Sequence, residues 1–184
     1  MIEIAAAVFG LIQGALIMFN KRSNWIFYVI QMVLLAIFAW ENHLYGDLVN
    51  NIIYVICGIV GWIFWGQNVG KDVKCNDAKG NIILAIYVLF FAGATMYLLG
   101  KTDDPLPFLD AFTTATSFVA TYLMIDRKIE AWVIWFINDI LYVIEYWLLP
   151  NQALYLLGLN VIWTFMAVGS FIMWRKQLKA QEAK

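Results

Sequence analysis

"EAWVIWFINDILYVIEYW", residues 130–147, is apolar over most of its length, yet it carries Asn138, Asp139 and Glu145 among three tryptophans and two tyrosines. Its length suits a helix that crosses a bilayer, which needs roughly 20 mostly apolar residues. At that depth an ionised carboxylate costs at least about 2.5 kcal/mol on the insertion scale. The face that carries Asp139 therefore has to turn to a bundle interior or to water. Trp132, Trp135, Asp139, Tyr142 and Tyr146 follow i, i+3, i+7 spacing and share that face, with Asn138 and Glu145 beside it.

The rest of the chain has the same character. Of 184 residues, 63% are hydrophobic and 14% charged, whereas a soluble domain has about a quarter charged residues. Apolar runs at about 2–19, 24–41, 47–66, 81–99, 108–125, 130–149 and 151–174 predict an all-α membrane protein with seven transmembrane helices. The first run lacks a preceding basic residue and a clear cleavage site, so it reads as a retained helix. Short loops hold nearly all the charge. Of twelve basic residues, only Lys101 departs from the set of connections after the first, third, fifth and seventh runs. Basic residues favour the cytoplasmic side. The expected placement is thus multi-pass in the plasma (inner) membrane, with the N-terminus outside and the C-terminus cytoplasmic. A formal net charge of −1 offers no basic face to nucleic acid. Cys57 and Cys75 form no C-x-x-C pair, and neither a metal site nor a cofactor is expected.

An internal repeat emerges when the sequence is shifted by 107 residues. Trp25 falls on Trp132, Trp40 on Trp147, Tyr28 on Trp135 and Gln31 on Asn138; basic pairs precede both segments. With a slip of one or two residues, "GWIFW" ending the third span corresponds to "GSFIMW" ending the seventh. The layout that follows is 3+1+3: residues 1–66 as a first three-helix repeat, 67–107 as a linker helix with its loops, and 108–184 as a second repeat with a cytoplasmic tail. An odd linker makes the repeats parallel, a device of transporters that hold substrate between their halves.

Other polar residues at depth complete the expected lining. The third span offers Asp47, Asn51 and Tyr54; the second Tyr28 and Gln31; the fifth Asp110, Thr114, Ser117 and Thr121; the seventh Asn160 and Trp163. Less specific readings cover the remainder. Trp25, Trp40, Trp62, Trp147 and Trp174 lie near span ends, where interfacial belts form. Asp47 and Asp110 stand where helix caps stand, and Gly58 and Gly61 suit close helix packing. His43 lies in an outer loop, and the charges of "GKDVKCNDAKG" (70–80) read as a solvated, slack linker. Aromatic walls with amides and a carboxylate suit a flat ligand that is cationic or neutral. No basic residue lies in the central part of any span, which argues against a phosphorylated one.

"WENHLYGDLVNNIIYVICGIVGWIFW" (40–65), "PFLDA" (107–111) and "IEAWVIWFIND" (129–139) together resemble the Pnu family of vitamin-precursor transporters over nearly the whole chain. The resemblance implies a fold similar to the SWEET sugar transporters. It also implies facilitated uptake of an unphosphorylated vitamin precursor, nicotinamide riboside or thiamine, trapped inside by a kinase. By likeness, Trp132, Trp135 and position 139 line the site, with Asn51 facing them from the other half. Family members commonly carry Asn where this chain has Asp139, and an acid there can pair with the pyridinium of the first or the aminopyrimidine of the second. Asn51 and Asn138 favour nicotinamide riboside. Beyond the lipid bilayer and the small-molecule substrate no partner is implied, and a homo-oligomer is left open. An intramembrane enzyme is disfavoured by the absence of a nucleophile–base pair, and a retinal protein by the lack of a lysine within the last span. Transport would proceed by the two triplets rocking about a fixed site.

Overall fold

The apolar runs become seven α-helices in the computed structural model, which describes residues 2–41, 45–67, 72–101, 106–148 and 154–183. They are α1 (Ile2–Met18), α2 (Asn24–Glu41), α3 (Tyr45–Gly66), α4 (Ala78–Leu99), α5 (Pro107–Ile125), α6 (Glu130–Leu148) and α7 (Leu154–Glu182). Helices are what a chain must form where no water satisfies its backbone. By length and composition four of them, α4 to α7, can cross a membrane; the described parts of α1 to α3 hold shorter apolar stretches, Ile4–Met18, Asn24–Ile37 and Asn50–Gly66. The fold falls into two compact units, Met1–Asp72 and Val73–Glu182.

In the first unit α1 and α3 both pack on α2. Trp25, fully buried, meets Trp65 edge-on at 5.6 Å and Tyr28 edge-on at 5.6 Å. The small residues of α3 make that approach feasible: a Cβ on Gly61 would collide with the Trp25 indole, and one on Gly58 with Tyr28 and Val29. Arg22 closes the end of the unit. Its Nε donates to the Trp62 carbonyl at 2.9 Å while its guanidinium lies 3.8 Å from the centre of the Trp62 ring. In the second unit α4 packs on α5, α5 on α6, and α6 on α7. Here Trp132 meets Trp174 edge-on at 5.2 Å, an arrangement like that of Trp25 and Trp65.

The turns that enter α2 and α6 match bond for bond. Asn20 N–H donates to Ile17 and Lys21 N–H to Leu16; Arg127 N–H donates to Met124 and Lys128 N–H to Leu123, each residue 107 after its counterpart. Asn20 and Arg127 are the non-glycine residues with positive φ among the described residues, at 54° and 57°. A left-handed residue just past a helix end lets its N–H reach back to the last turn. Next along, the Asn24 and Trp25 N–H groups bond Lys21 and Arg22, as those of Ala131 and Trp132 bond Lys128 and Ile129.

Two expectations change. Trp25 and Trp174 are not belt residues: both have no exposed surface, whereas Trp40 and Trp147 are 62% and 61% exposed. The charges after α3 are not merely solvated, nor is that segment slack where it is described. Lys74 N–H donates to Arg127 O at 2.9 Å and Ile129 N–H to Lys74 O at 3.0 Å, a single β-like rung that pins the segment to the α5–α6 turn. Asp126 accepts from Lys74 at 2.9 Å and sits 3.2 Å from Lys128, while Val73 tucks in at 2% exposure. Burial alone would raise the Asp126 pKa, but the two lysines outweigh it and hold the carboxyl below its usual value. Glu130 completes the strap, accepting from Asn76 N–H at 2.7 Å and from the Cys75 thiol at 3.0 Å.

Large-to-small changes in a packed core cost about 3–5 kcal/mol for Trp. Trp25→Ala and Trp174→Ala should therefore lower the melting temperature in detergent markedly, while Trp40→Ala and Trp147→Ala shift it little. The strap makes a separate forecast. The Glu130 carboxylate, first by its hydrogen bond and then by its charge, raises the pKa of the Cys75 thiol. In a Cys57→Ser background, alkylation of Cys75 by iodoacetamide at pH 8 should quicken several-fold in Glu130→Gln; an unchanged rate would show that the contact does not govern the thiol.

Candidate functional site

The residues singled out at membrane depth lie in both units. In the second, α5 begins with Pro107 at its first turn and Leu106 at the N-cap position, where no side chain caps the helix. Asp110 is thus a residue of the first turn rather than the cap, where its charge favours the helix dipole. It accepts from Thr114 Oγ1 at 3.3 Å. The following run, "TTATS" at 113–117, lays hydroxyls along α5.

Asn138, with no exposed surface, is gripped by that run. Thr116 Oγ1 donates to its Oδ1 at 2.6 Å, and its Nδ2 donates to Ser117 Oγ at 2.7 Å. Ser117 in turn lies 3.2 Å from the Tyr142 hydroxyl, and Thr113 Oγ1 lies 3.3 Å from a Glu145 oxygen. Hydroxyls of α5 therefore bind three side chains of α6 spaced along one side of it. Tyr142 also stacks on Tyr146, with ring centres 5.7 Å apart.

The stripe expected on α6 divides between two neighbours. Asn138 and Tyr142 face α5, whereas Trp132, 6% exposed, packs against Trp174 of α7. Trp135 is half-buried. Asp139 is 2% exposed and makes no hydrogen bond or ion pair among the described residues. Three further buried polar atoms of this unit lack a hydrogen-bond partner among the described residues: Trp132 Nε1, Thr121 Oγ1 and Ser170 Oγ. Thr113 and Thr116 were absent from the expected lining. Their signal lay in the hydroxyl run, which has more members than one helix stripe can use.

In the first unit Tyr28, 7% exposed, meets Tyr54 edge-on at 6.4 Å, so these two are brought together. Gln31, 2% exposed, lies against α1, where a Cβ on Gly10 would collide with its amide. Asn51 is half-buried, one turn before Tyr54 on α3. The side chain of Asp47 and the whole of His43 lie outside the described residues.

The model of the nicotinamide mononucleotide transporter family matches residues 1–176. The chain belongs to this family. It is similar to the nicotinamide riboside transporter PnuC of Neisseria mucosa, 29% identical over 189 residues that span 95% of this chain and 72% of the relative. PnuC of Escherichia coli is 23% identical over 204 residues, spanning 94% and 84% of the two chains. The crystal structure of the vitamin B3 transporter PnuC matches with a TM-score of 0.80 at 25% identity, covering 96% of this chain and 81% of that one. This family member is accordingly a multi-pass membrane transporter and not an enzyme, with the all-α fold that the apolar runs indicated.

Interhelical hydrogen bonds in membrane proteins average about 0.6 kcal/mol each. Asn138→Leu, which removes two, should lower stability to unfolding in mixed detergent by roughly 1–2 kcal/mol. Thr116→Val should give about half that effect, and equal loss in both would show that the amide does not bridge to Ser117.

Proposed function

We propose that this protein carries nicotinamide riboside into the cell by facilitated diffusion. The observation that carries the reading is membership of the family along the whole of α1 to α6, together with relatives named for that substrate. The family's own description names the mononucleotide, which bears a phosphate. The residues favour the riboside: α5, α6 and α7 hold no Lys, Arg or His before Arg175, and α2 and α3 hold none. A phosphate would have no cation to receive it there. The substrate-binding residues proposed are Trp132, Trp135, Asp139 and Tyr142, with Asn138 fixing their helix, and Tyr28, Gln31, Asn51, Tyr54 and Asp47. Stacking and cation–π attraction hold a pyridinium ring, and amides receive its carboxamide and ribose hydroxyls.

The layout proposed is two parallel three-helix repeats, α1–α3 and α5–α7, joined by α4, in the manner of the SWEET transporters. The bond-for-bond match of the two entry turns and the like Trp pairs support it. Loop charge supports an outer N-terminus and a cytoplasmic C-terminus in the inner membrane. Phosphorylation by a cytosolic kinase would then retain the substrate, so no ion coupling is required.

Calorimetric titration of the purified protein with nicotinamide riboside and with thiamine tests the reading. Saturable binding of nicotinamide riboside alone is expected, and Trp135→Ala or Asn51→Ala should weaken it about tenfold or more, since about 1.4 kcal/mol of lost contact is tenfold. Thiamine binding in its place would move the substrate within the same family, and unchanged binding in both variants would remove these residues from the site.

A further inference from the structure

We infer that Asp139 is the charge-selecting residue of this carrier, admitting a cationic ring and discriminating against the same ring in its neutral, reduced form; the inference rests on the function proposed above. Its starting point is a mismatch. Asp139 is 2% exposed yet lacks a hydrogen bond or ion pair among the described residues, although buried carboxylates in proteins are paired as a rule. The chain does not bring the missing charge: the helices of its unit between Pro107 and Trp174 contain no cation.

Packing does not demand an acid there either. Met32 occupies the position 107 residues earlier, on the helix whose entry turn matches that of α6 bond for bond, and it too is buried, at 7% exposure. The neighbouring pair behaves differently. Gln31 and Asn138 correspond at the same interval, and both are buried amides, at 2% and 0% exposure. One polar position is thus common to both triplets, and the acid is an addition peculiar to the second.

The geometry of α6 indicates what the acid meets. Successive residues of a helix are about 100° apart. With Asn138 held against α5 by Thr116 and Ser117, Asp139 turns away from that contact. It lies instead above Trp135 and Trp132, four and seven residues earlier on the same face. A carboxylate and indoles on one face suit a flat cation, which the acid neutralises and the rings stack upon. Ring charge is what the site then reads.

Nicotinamide riboside and its dihydropyridine form share carboxamide and ribose, so comparing them isolates the charge. Calorimetry on the intact protein should show the pyridinium form binding at least about tenfold more tightly. In Asp139→Asn that ratio should shrink to about threefold or less, mainly through weaker binding of the cation. Asp139→Met, which copies the residue of the first triplet, should fold with an unchanged or higher melting temperature. Equal affinity of the native protein for both forms would overturn the inference and leave the proposed function standing, as would a ratio that survives Asp139→Asn. Failure of both variants to fold would make the acid structural and overturn it as well. Binding of neither form by well-folded native protein would instead defeat the proposed function, and the inference with it.

Discussion

Water is scarce where α5 and α6 meet, and that scarcity decides how the second unit is built. A polar side chain in such a place needs a partner from a neighbouring helix. Asn138 finds two, Thr116 and Ser117, and the bond between them fixes the rotation of α6 about its own axis. Once that rotation is set, the remaining side chains have no choice of direction. Tyr142 follows Asn138 toward α5, Trp132 goes to Trp174 on α7, and Asp139 is left on the face between rings and without a partner. The first unit reaches a similar end by other means. There close approach replaces hydrogen bonding, with Gly10 admitting the Gln31 amide and Gly61 the Trp25 indole.

Much of this could be read before any coordinates. Long apolar runs with charge confined to short loops gave the seven helices, because a bilayer admits few alternatives. Matched tryptophans at an interval of 107 residues pointed to the correspondence that the turns at Asn20 and Arg127 display. What the sequence hid was direction. A face of α6 reads as one stripe, but a helix within a bundle touches two neighbours across less than half of its circumference, so the stripe is shared between them. Trp25 and Trp174 were misread for a related reason: a tryptophan near the end of a span looks the same whether it anchors at lipid headgroups or plugs a core. Lys74, Asp126 and Glu130 escaped notice because charges in a loop carry no mark of whom they pair with.

The two units also differ in how they treat the same blueprint. Corresponding positions hold Gln31 and Asn138, Met32 and Asp139, Gly10 and Ser117. Shape is kept where the backbone turns and where large rings cross, while polarity is concentrated in the second unit. A protein built from two like parts can relieve one copy of chemical duties that the other retains, and the unequal distribution of hydroxyls and acids records that division.

Each helix pairing within the units joins elements adjacent in the chain: α1 with α2, α2 with α3, α4 with α5, α5 with α6, α6 with α7. Local pairings of this kind close small loops, and small loops close quickly. During synthesis every helix therefore meets its partner as soon as the next one is delivered, and no apolar surface waits for a segment not yet made. Order of assembly is written into the order of the chain, which lets a membrane protein of this size build itself from one end to the other.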